Sequence, residues 1–356
     1  MIDVLLAILI IAFFICIRKE KNKSDYLSKD KCLALRGILS IFIVIHHLTD
    51  NLLYEGFLFY QFRRVGYFIV AIFFFLSGYG LMLSYLKKGR NYFKGYWKNR
   101  IGYLFIVYFL TAVLYTAYHN IFIKSGITLE TFIKSFYNSE TIVSSSWYII
   151  VQLLFYILFW IAFCKLDKSK VKLGLLIISI LVIAIMFAFH LGGYPTYWYL
   201  SDIAFIIGIA YAFYKERIDI LLKNHYWIVL SASALLFALI YVLPTGLSII
   251  GIKTGLLVYI LSRNITTAVF AVFIAVLFYR FDIKGKIWRF LGGISLEIYL
   301  LHGLVIMIID RFTDNDTLKM ILVVIITVAA ATIANYINKY ISKAINWNKK
   351  STNIGL

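Results

Sequence analysis

The chain has 356 residues, of which 62% are hydrophobic and only 15% are charged. A water-soluble globular domain is closer to half apolar and a quarter charged, so this composition excludes an ordinary soluble fold. It also excludes an intrinsically disordered chain, which would be poor in apolar residues. The formal charge of +19 would suggest nucleic-acid binding in a soluble domain, but the cytoplasmic loops of membrane proteins also collect Lys and Arg.

The cysteines and the N-terminal segment predict neither a metal site nor a cleaved leader. Cys16, Cys32 and Cys164 have no CxxC spacing, which argues against a zinc site and against a disulfide framework. The first apolar stretch ends at Ile17 and lacks both a preceding basic segment and a small-residue cleavage site. We therefore expect residues 1–30 to form an anchor helix followed by a basic cytoplasmic linker.

Eleven apolar runs of about 16–20 residues, the length that the hydrocarbon core of a bilayer requires, follow one another along the chain. They lie near residues 2–17, 33–49, 66–85, 101–118, 147–164, 171–189, 198–214, 226–243, 264–280, 291–310 and 318–337. The runs predict an all-α polytopic membrane protein with ten or eleven transmembrane helices. We expect residues 31–345 to form one transmembrane domain and residues 346–356 a short cytoplasmic tail. Residues 246–262 are predicted to be either re-entrant or part of a longer ninth span.

The basic residues predict the orientation of these spans. If the N-terminus is outside, 27 of the 36 Lys and Arg residues fall in cytoplasmic segments, eight fall in outer segments and Arg36 lies inside a span. Cytoplasmic loops carry such an excess, so the pattern predicts an N-out, C-in topology. It also explains the net charge without nucleic acid, because the cations would face anionic lipid and phosphorylated cytosolic ligands.

The second apolar run carries Arg36, His47 and Asp50 as candidate site residues. Eleven steps of about 100° bring His47 to within about 20° of the face of Arg36, about 16 Å further along the axis. A guanidinium binds phosphate through a fork of donors, whereas an imidazole accepts a hydroxyl proton or carries an acyl group. The pair therefore suits transfer from a phosphorylated cytosolic donor, with Asp50 in reach to orient His47. A snorkelling arginine, interfacial histidines and a solvated Asp50 would give the same pattern.

Five segments that occur in a fixed order resemble the motifs of one enzyme family. They are the Arg-x10-His pattern of Arg36 and His47, FFFLSGY at 73–79, YFKGYWKNRI at 92–101, WYIIVQLLFY at 147–156 and LGGISLEIYLLH at 291–302. Together they resemble the acyltransferase 3 family of integral-membrane O-acyltransferases, over roughly residues 31–310. The chain departs from the family pattern at Gly102 and Tyr103, where a proline is often found, and at Gln152, where an acid is common.

The resemblance implies an enzyme that uses acyl-CoA, with acetyl-CoA as the expected co-substrate and with no bound cofactor or metal. The implied acceptor is a hydroxyl of a sugar, polysaccharide or lipid-linked glycan at the outer face of a bacterial plasma membrane. Catalytic roles are implied for His47, Asp50 and His302, and donor-binding roles for Arg36, Lys98 and Arg100. Supporting roles are implied for Ser77, Trp147, Gln152, Ser295 and Tyr299.

The residues by themselves leave simpler interpretations open. Ser295 and His302 are seven residues apart and share a helix face, but a buried packing histidine would fit the same spacing. Ser77 beside Gly78 is also typical of close helix packing, and the charges around Arg100 suit any cytoplasmic loop. The alternative function is a non-catalytic transporter or flippase with the same polar cavity. Direct transfer and an acyl-histidine relay have the same sequence signature.

Overall fold

The computed structural model describes residues 1–19, 26–249 and 255–344, and within these residues the chain is almost entirely helical. Each of the eleven apolar runs is mostly helical, although the run at 291–310 is divided between two helices. Eight helices of the described part are long and apolar enough to cross a membrane, or nine if one bent pair forms a single span, and two further apolar helices are shorter. The prediction of an all-α polytopic membrane protein is thus confirmed. The predicted tail at 346–356, and parts of the 1–30 linker and of 246–262, lie outside the described residues.

The elements are numbered in chain order. The helices are α1 (Ile2–Cys16), α2 (Lys29–Leu48), α3 (Phe57–Phe62), α4 (Gly66–Lys88), α5 (Tyr103–Tyr118), α6 (Leu129–Lys134), α7 (Trp147–Phe163), α8 (Val171–Leu191), α9 (Ile203–Phe213), α10 (Lys215–Ile249), α11 (Leu256–Phe278), α12 (Lys286–Gly293), α13 (Ser295–Ile309) and α14 (Asp316–Ala344). Two short strands, β1 (Ile17–Lys19) and β2 (Phe281–Ile283), pair antiparallel with Ile17 opposite Ile283.

Helix α1, the predicted anchor, packs on the rest of the bundle at both ends. The Asp3 carboxylate accepts hydrogen bonds from the backbone amides of Leu58 (3.2 Å) and Phe59 (3.0 Å) in α3. The side chain of Leu6 is fully buried. At the other end, β1 continues the helix and pairs with β2. Residues at the start of the chain therefore contribute to the packing of the bundle.

Helices α2 and α12 approach each other at backbone distance. A Cβ atom added at Gly37 would collide with the carbonyl oxygen of Trp288, and one added at Gly292 would collide with the carbonyl oxygen of Leu33. Helices in membranes pack this closely where small residues face each other. The chain then bends by 73° between α12 and α13, so that α13 starts at Ser295 beside α2.

We expect Gly37→Ala to destabilise the protein by about 1–3 kcal/mol, because the new methyl group has to displace the α12 backbone. The measurement is the midpoint of thermal unfolding of the purified protein in detergent. Gly293→Ala is the matched control, since a Cβ added there has no neighbour within 4 Å. Equal midpoints for the two variants would show that α2 and α12 are not in close backbone contact.

The last residues of the segment between α5 and α7 fold back into the bundle. Val143 and Ser146 are fully buried, and the hydroxyl groups of Tyr108 and Ser146 are 3.2 Å apart. Ser145 adopts the left-handed conformation, with a φ of 60°, which is uncommon for a residue other than glycine. The loop thereby brings three consecutive serines, residues 144–146, against α13 and α5.

Candidate active site

Helices α2 and α13 contact each other at two levels, and each contact joins two of the predicted site residues. At the first level, the Arg36 Nη2 donates a hydrogen bond to Ser295 Oγ over 3.1 Å. At the second, the rings of His47 and His302 are stacked, with centroids 4.8 Å apart and an interplanar angle of 27°. Arg36 and His47 therefore face the same partner helix, as their spacing predicts. We call the two ends of the molecule the Arg36 end and the His47 end.

A cavity of about 240 Å³ lies at the Arg36 end. It is bounded by residues of α2, α4, α5, α7, α12, α13 and α14 and by the turn that precedes α5. Five predicted site residues line it: Arg36, Ser77, Arg100, Gln152 and Ser295. Four of these residues come from four separate helices, so only the folded bundle brings them together. They are Arg36, Ser77, Gln152 and Ser295. Arg36 and Arg100, predicted to bind the donor, share this one cavity.

Cations dominate the charge of the cavity. The four that line it are Lys29, Arg36, Arg100 and Lys339. The one carboxylate among the lining residues is that of Glu297, which accepts hydrogen bonds from the Nδ2 atoms of Asn335 (2.9 Å) and Asn338 (3.1 Å). Amide groups provide the hydrogen bonds to this carboxylate, and the cations among the lining residues outnumber it, as phosphate binding requires.

Arg100 belongs to a π-helical turn, Trp97–Gly102, that leads into α5. Its guanidinium lies among the aromatic side chains of Tyr92, Tyr96 and Tyr156, and it lines the cavity. Turns of this kind often mark functional sites. Lys98, in the same turn, is exposed and does not line the cavity. Its predicted donor-binding role stays a prediction.

The His47 end holds three histidines in contact. The ring of His46 lies 4.9 Å from that of His47, which in turn stacks on His302. His302 is 1% exposed, and its ring nitrogens make no hydrogen bond of regular geometry among the described residues, although they lie near the backbone of Ile298 and Tyr299. Its ring contact with His47 therefore joins α13 to α2 inside the bundle.

His46 and His47 differ in their surroundings. The Nδ1 of His46 lies 2.8 Å from the Phe62 carbonyl oxygen, to which it donates, and its ring fills the space next to Gly66. The Nδ1 of His47 lies 3.5 Å from the Ser145 hydroxyl, at the outer limit of a hydrogen bond. His46 is thus held by the fold, whereas His47 faces the histidine and serine side chains of the candidate site.

Asp50 does not contact the ring of His47. Helix α2 ends at Leu48 with Thr49 as its cap, so Asp50 lies beyond the last turn, where the three-residue spacing of a helix face no longer applies. Its side chain is exposed, and no hydrogen bond joins its carboxylate to His47 among the described residues. The hydroxyl next to the His47 Nδ1 is that of Ser145 instead.

Two tyrosines connect the cavity to the histidines. Tyr148 lines the cavity and makes an edge contact with Tyr299, with ring centroids 5.0 Å apart. Tyr299 lies 5.8 Å from the His302 ring and donates a hydrogen bond to the Ser145 carbonyl oxygen over 2.5 Å. Neither His47 nor His302 lines the cavity itself. Tyr299 therefore stands at the border between the cationic cavity and the histidine cluster.

Trp147 has a different environment from the other predicted supporting residues. It begins α7 at the His47 end and packs on the rings of Tyr197 and Trp198, with centroids 5.6 and 6.5 Å away. It does not line the cavity. Its contacts are those of a residue that holds the start of α7 in place.

Several side chains of the site escaped the sequence analysis. They are Lys29, Ser145, Tyr148, Glu297, Asn335 and Lys339. Tyr148 and Glu297 lie inside motifs already singled out, and Ser145 lies in the triple serine that precedes one of them. No signal in the sequence marks Lys339 or Asn335. Among the described residues, no three His, Cys, Asp or Glu side chains converge as metal ligands would.

Comparison with known proteins agrees with the resemblance of the motifs. A family model described as an acyltransferase domain, that of acyltransferase 3, matches residues 34–337. The match starts within α2, ends within α14 and includes every predicted site residue. Comparison with curated proteins and with solved structures gave no match.

Proposed function

The chain belongs to the acyltransferase 3 family and is a membrane acyltransferase, and on this premise we propose that it moves an acyl group from cytosolic acyl-CoA to a hydroxyl at the outer face. The proposed donor is acetyl-CoA, and the proposed acceptor is a sugar, polysaccharide or lipid-linked glycan of a bacterial plasma membrane. The observation that carries the proposal is the pairing of Arg36 with Ser295 and of His47 with His302 on the same two helices. A transporter would need no such pairing of imidazoles.

The cavity at the Arg36 end supports the donor assignment. Arg36 and Arg100 present planar guanidinium groups, which bind phosphate oxygens in pairs of hydrogen bonds. Lys29 and Lys339 add charge at the same cavity. CoA carries its phosphates at one end and its thioester at the other. With the phosphates on these cations, the thioester would extend past Tyr148 and Tyr299 toward the histidines.

The histidine cluster supports the transfer step. When the acceptor hydroxyl attacks the thioester carbonyl, an ester C–O bond forms and the C–S bond breaks. The hydroxyl proton passes to a ring nitrogen of His47, and CoA leaves as a thiolate that takes up a proton. In a relay, a nitrogen of His47 attacks the carbonyl first, and the acceptor then displaces it. His302, stacked on His47, is placed to share the proton.

The excess of Lys and Arg in the segments predicted to be cytoplasmic supports the proposal that the Arg36 end faces the cytosol. We expect a single cysteine at position 125, in the loop between α5 and α6, to react with a membrane-impermeant maleimide on intact cells. A cysteine at position 94, between α4 and α5, should react only after the membrane is permeabilised. Both positions are exposed, and the variants Ser125→Cys and Lys94→Cys would be made in a background without the three native cysteines. Reversed labelling would contradict a donor site on the cytosolic side.

The enzyme activity is tested with purified protein in lipid nanodiscs. We expect release of CoA thiol from acetyl-CoA, and mass spectrometry of surface glycans from cells with and without the protein should show an added acetyl group. A carrier would release no thiol. Mass measurement of the acid-quenched protein during one turnover distinguishes the two routes, because only the relay leaves an acyl group on His47.

A further inference from the structure

A second group of cations lies at the His47 end, outside the site described so far. Arg263 is seven residues after Leu256, the first residue of α11, which places it about 10 Å along a helix that is long enough to span the membrane. Its Cζ lies over three tyrosine rings, 5.5 Å from that of Tyr67, 5.8 Å from that of Tyr241 and 5.3 Å from that of Tyr259.

The hydrogen bonding of Arg263 is incomplete. Its Nη1 donates to the Tyr67 hydroxyl over 3.0 Å, but its Nε is buried and has no hydrogen-bond partner among the described residues. None of the ion pairs in the described part of the chain includes Arg263. A charged side chain within a membrane-spanning helix is costly and is normally paired, so the partner anion has to come from outside these residues.

A second unpaired arginine lies next to the first. Arg64, between α3 and α4, is exposed and lies beside the hydroxyl groups of Tyr60 and Tyr241. Because Arg263 lies over the ring of Tyr241, both guanidinium groups flank the same tyrosine. Arg64 is in no ion pair of the described residues either. The guanidinium groups of Arg64 and Arg263 thus lie near the same tyrosine, and neither is paired with a carboxylate of the described residues.

The surroundings show which kind of anion suits this place. On α11, Leu256 lies seven residues before Arg263, on nearly the same helix face, and is 50% exposed. In a membrane-spanning bundle, such exposed apolar side chains face the acyl chains of lipids. A ligand here has to offer a doubly charged or bidentate anion to the guanidinium groups and an apolar part to this side chain. A phosphate carried on a lipid has both properties.

We infer that Arg263, Tyr67 and Arg64 bind the phosphate of a lipid in the leaflet at the His47 end. Tyr67 follows Gly66, the residue against which the His46 ring packs, so the phosphate site adjoins the histidine cluster along α4. If the proposed function is right, on which this step rests, the lipid is the glycan-linked acceptor and its sugar extends from the phosphate toward His47. A membrane phospholipid would offer the same phosphate without the sugar.

The test is direct binding of lipids to the purified protein, measured by native mass spectrometry after detergent exchange. The probes are a short polyprenyl phosphate, dioctanoyl phosphatidylglycerol and inorganic phosphate. We expect the polyprenyl phosphate to bind, and Arg263→Gln to weaken its binding by about 10- to 150-fold, the value of one charge-assisted hydrogen bond. Arg263→Lys should recover part of the loss. Arg64→Gln, at an exposed position that the fold does not need, should weaken binding as well.

Arg311→Gln is the matched control. Arg311 is an exposed arginine at the His47 end whose guanidinium donates to the Phe122 carbonyl oxygen over 3.2 Å and lies over the Phe122 ring. We expect it to bind the polyprenyl phosphate as the unmodified protein does. Unchanged binding in both Arg263→Gln and Arg64→Gln would overturn the phosphate site. Inorganic phosphate binding as tightly as the lipid would overturn its assignment to a lipid.

The outcomes also separate this inference from the proposed function. Equal affinity for phosphatidylglycerol and polyprenyl phosphate would support the phosphate site and overturn its assignment to the acceptor. Acetyl-CoA binding is measured on the same variants, and we expect Arg263→Gln to leave it unchanged because the donor cavity is at the opposite end. Loss of lipid binding with intact thiol release would leave the acyltransferase proposal standing.

Discussion

Replacing His47 with alanine is expected to lower the rate of acyl transfer in a single turnover by about 100-fold or more, while acetyl-CoA still binds. Removing a general acid–base group affects the transition state and leaves ground-state donor binding in place. In the structure, the His47 ring stacks on His302 and faces the Ser145 hydroxyl. The measurement is single-turnover transfer, with donor affinity determined separately on the same purified variant.

The neighbouring histidine is the control for this result. His46 points about 100° away from the face of His47, and its Nδ1 is bonded to the Phe62 carbonyl oxygen. We expect His46→Ala to retain most of the transfer activity, once correct insertion and folding have been verified. Normal turnover in His47→Ala with no turnover in His46→Ala would show that the wrong imidazole was assigned. If neither variant is affected, the catalytic interpretation of α2 is wrong.

Replacing Arg36 with alanine is expected to weaken the binding of acetyl-CoA and to change the transfer step little. The guanidinium would bind a phosphate that is already charged before the reaction, so its loss removes binding rather than transition-state stabilisation. A charge-assisted hydrogen bond is worth about 1.5–3 kcal/mol, which corresponds to roughly a 10- to 150-fold loss of affinity. The measurement is the equilibrium dissociation constant of the donor for the purified variant.

Ser295→Ala distinguishes donor binding by Arg36 from a purely structural role. It removes the hydroxyl that accepts the hydrogen bond from Arg36 Nη2 but keeps the cation in the cavity. We expect Ser295→Ala to reduce donor affinity much less than Arg36→Ala does. Equal losses in the two variants would mean that Arg36 acts by holding α2 against α13. A large loss of turnover with unchanged affinity in Arg36→Ala would place this arginine in the transfer step.

The Arg36→Ala and His47→Ala variants also report on the distance between the bound phosphates of the donor and the thioester that reacts. Arg36 and His47 lie about 16 Å apart along α2, with Tyr148 and Tyr299 between the cavity and the histidines. If the phosphates bind at Arg36 and the thioester reacts at His47, the two substitutions should change different quantities. A shared defect in both quantities would indicate one site rather than two ends of a bound donor.

Features of this protein that depend on local periodicity were predictable from the order of its amino acids. Helix geometry is set by backbone hydrogen bonds within a few residues, so counting along α2 placed Arg36 and His47 on one face, and counting along α13 did the same for Ser295 and His302. The eleven apolar runs became helices because a backbone in lipid has to satisfy its own hydrogen bonds. The ordered motifs were sufficient to indicate the family.

Which of these side chains contact each other depends on how the helices pack in three dimensions. Arg36 and Ser295 are 259 residues apart, and His47 and Ser145 are 98 apart, so their contacts depend on how α2 packs on α12 and on a loop that folds back into the bundle. The carboxylate of Asp50, three residues from His47, makes no hydrogen bond to the His47 ring among the described residues, because the helix has already ended at Leu48. Packing of this kind depends on the shapes of many side chains fitting together at once, and no spacing within one helix encodes it.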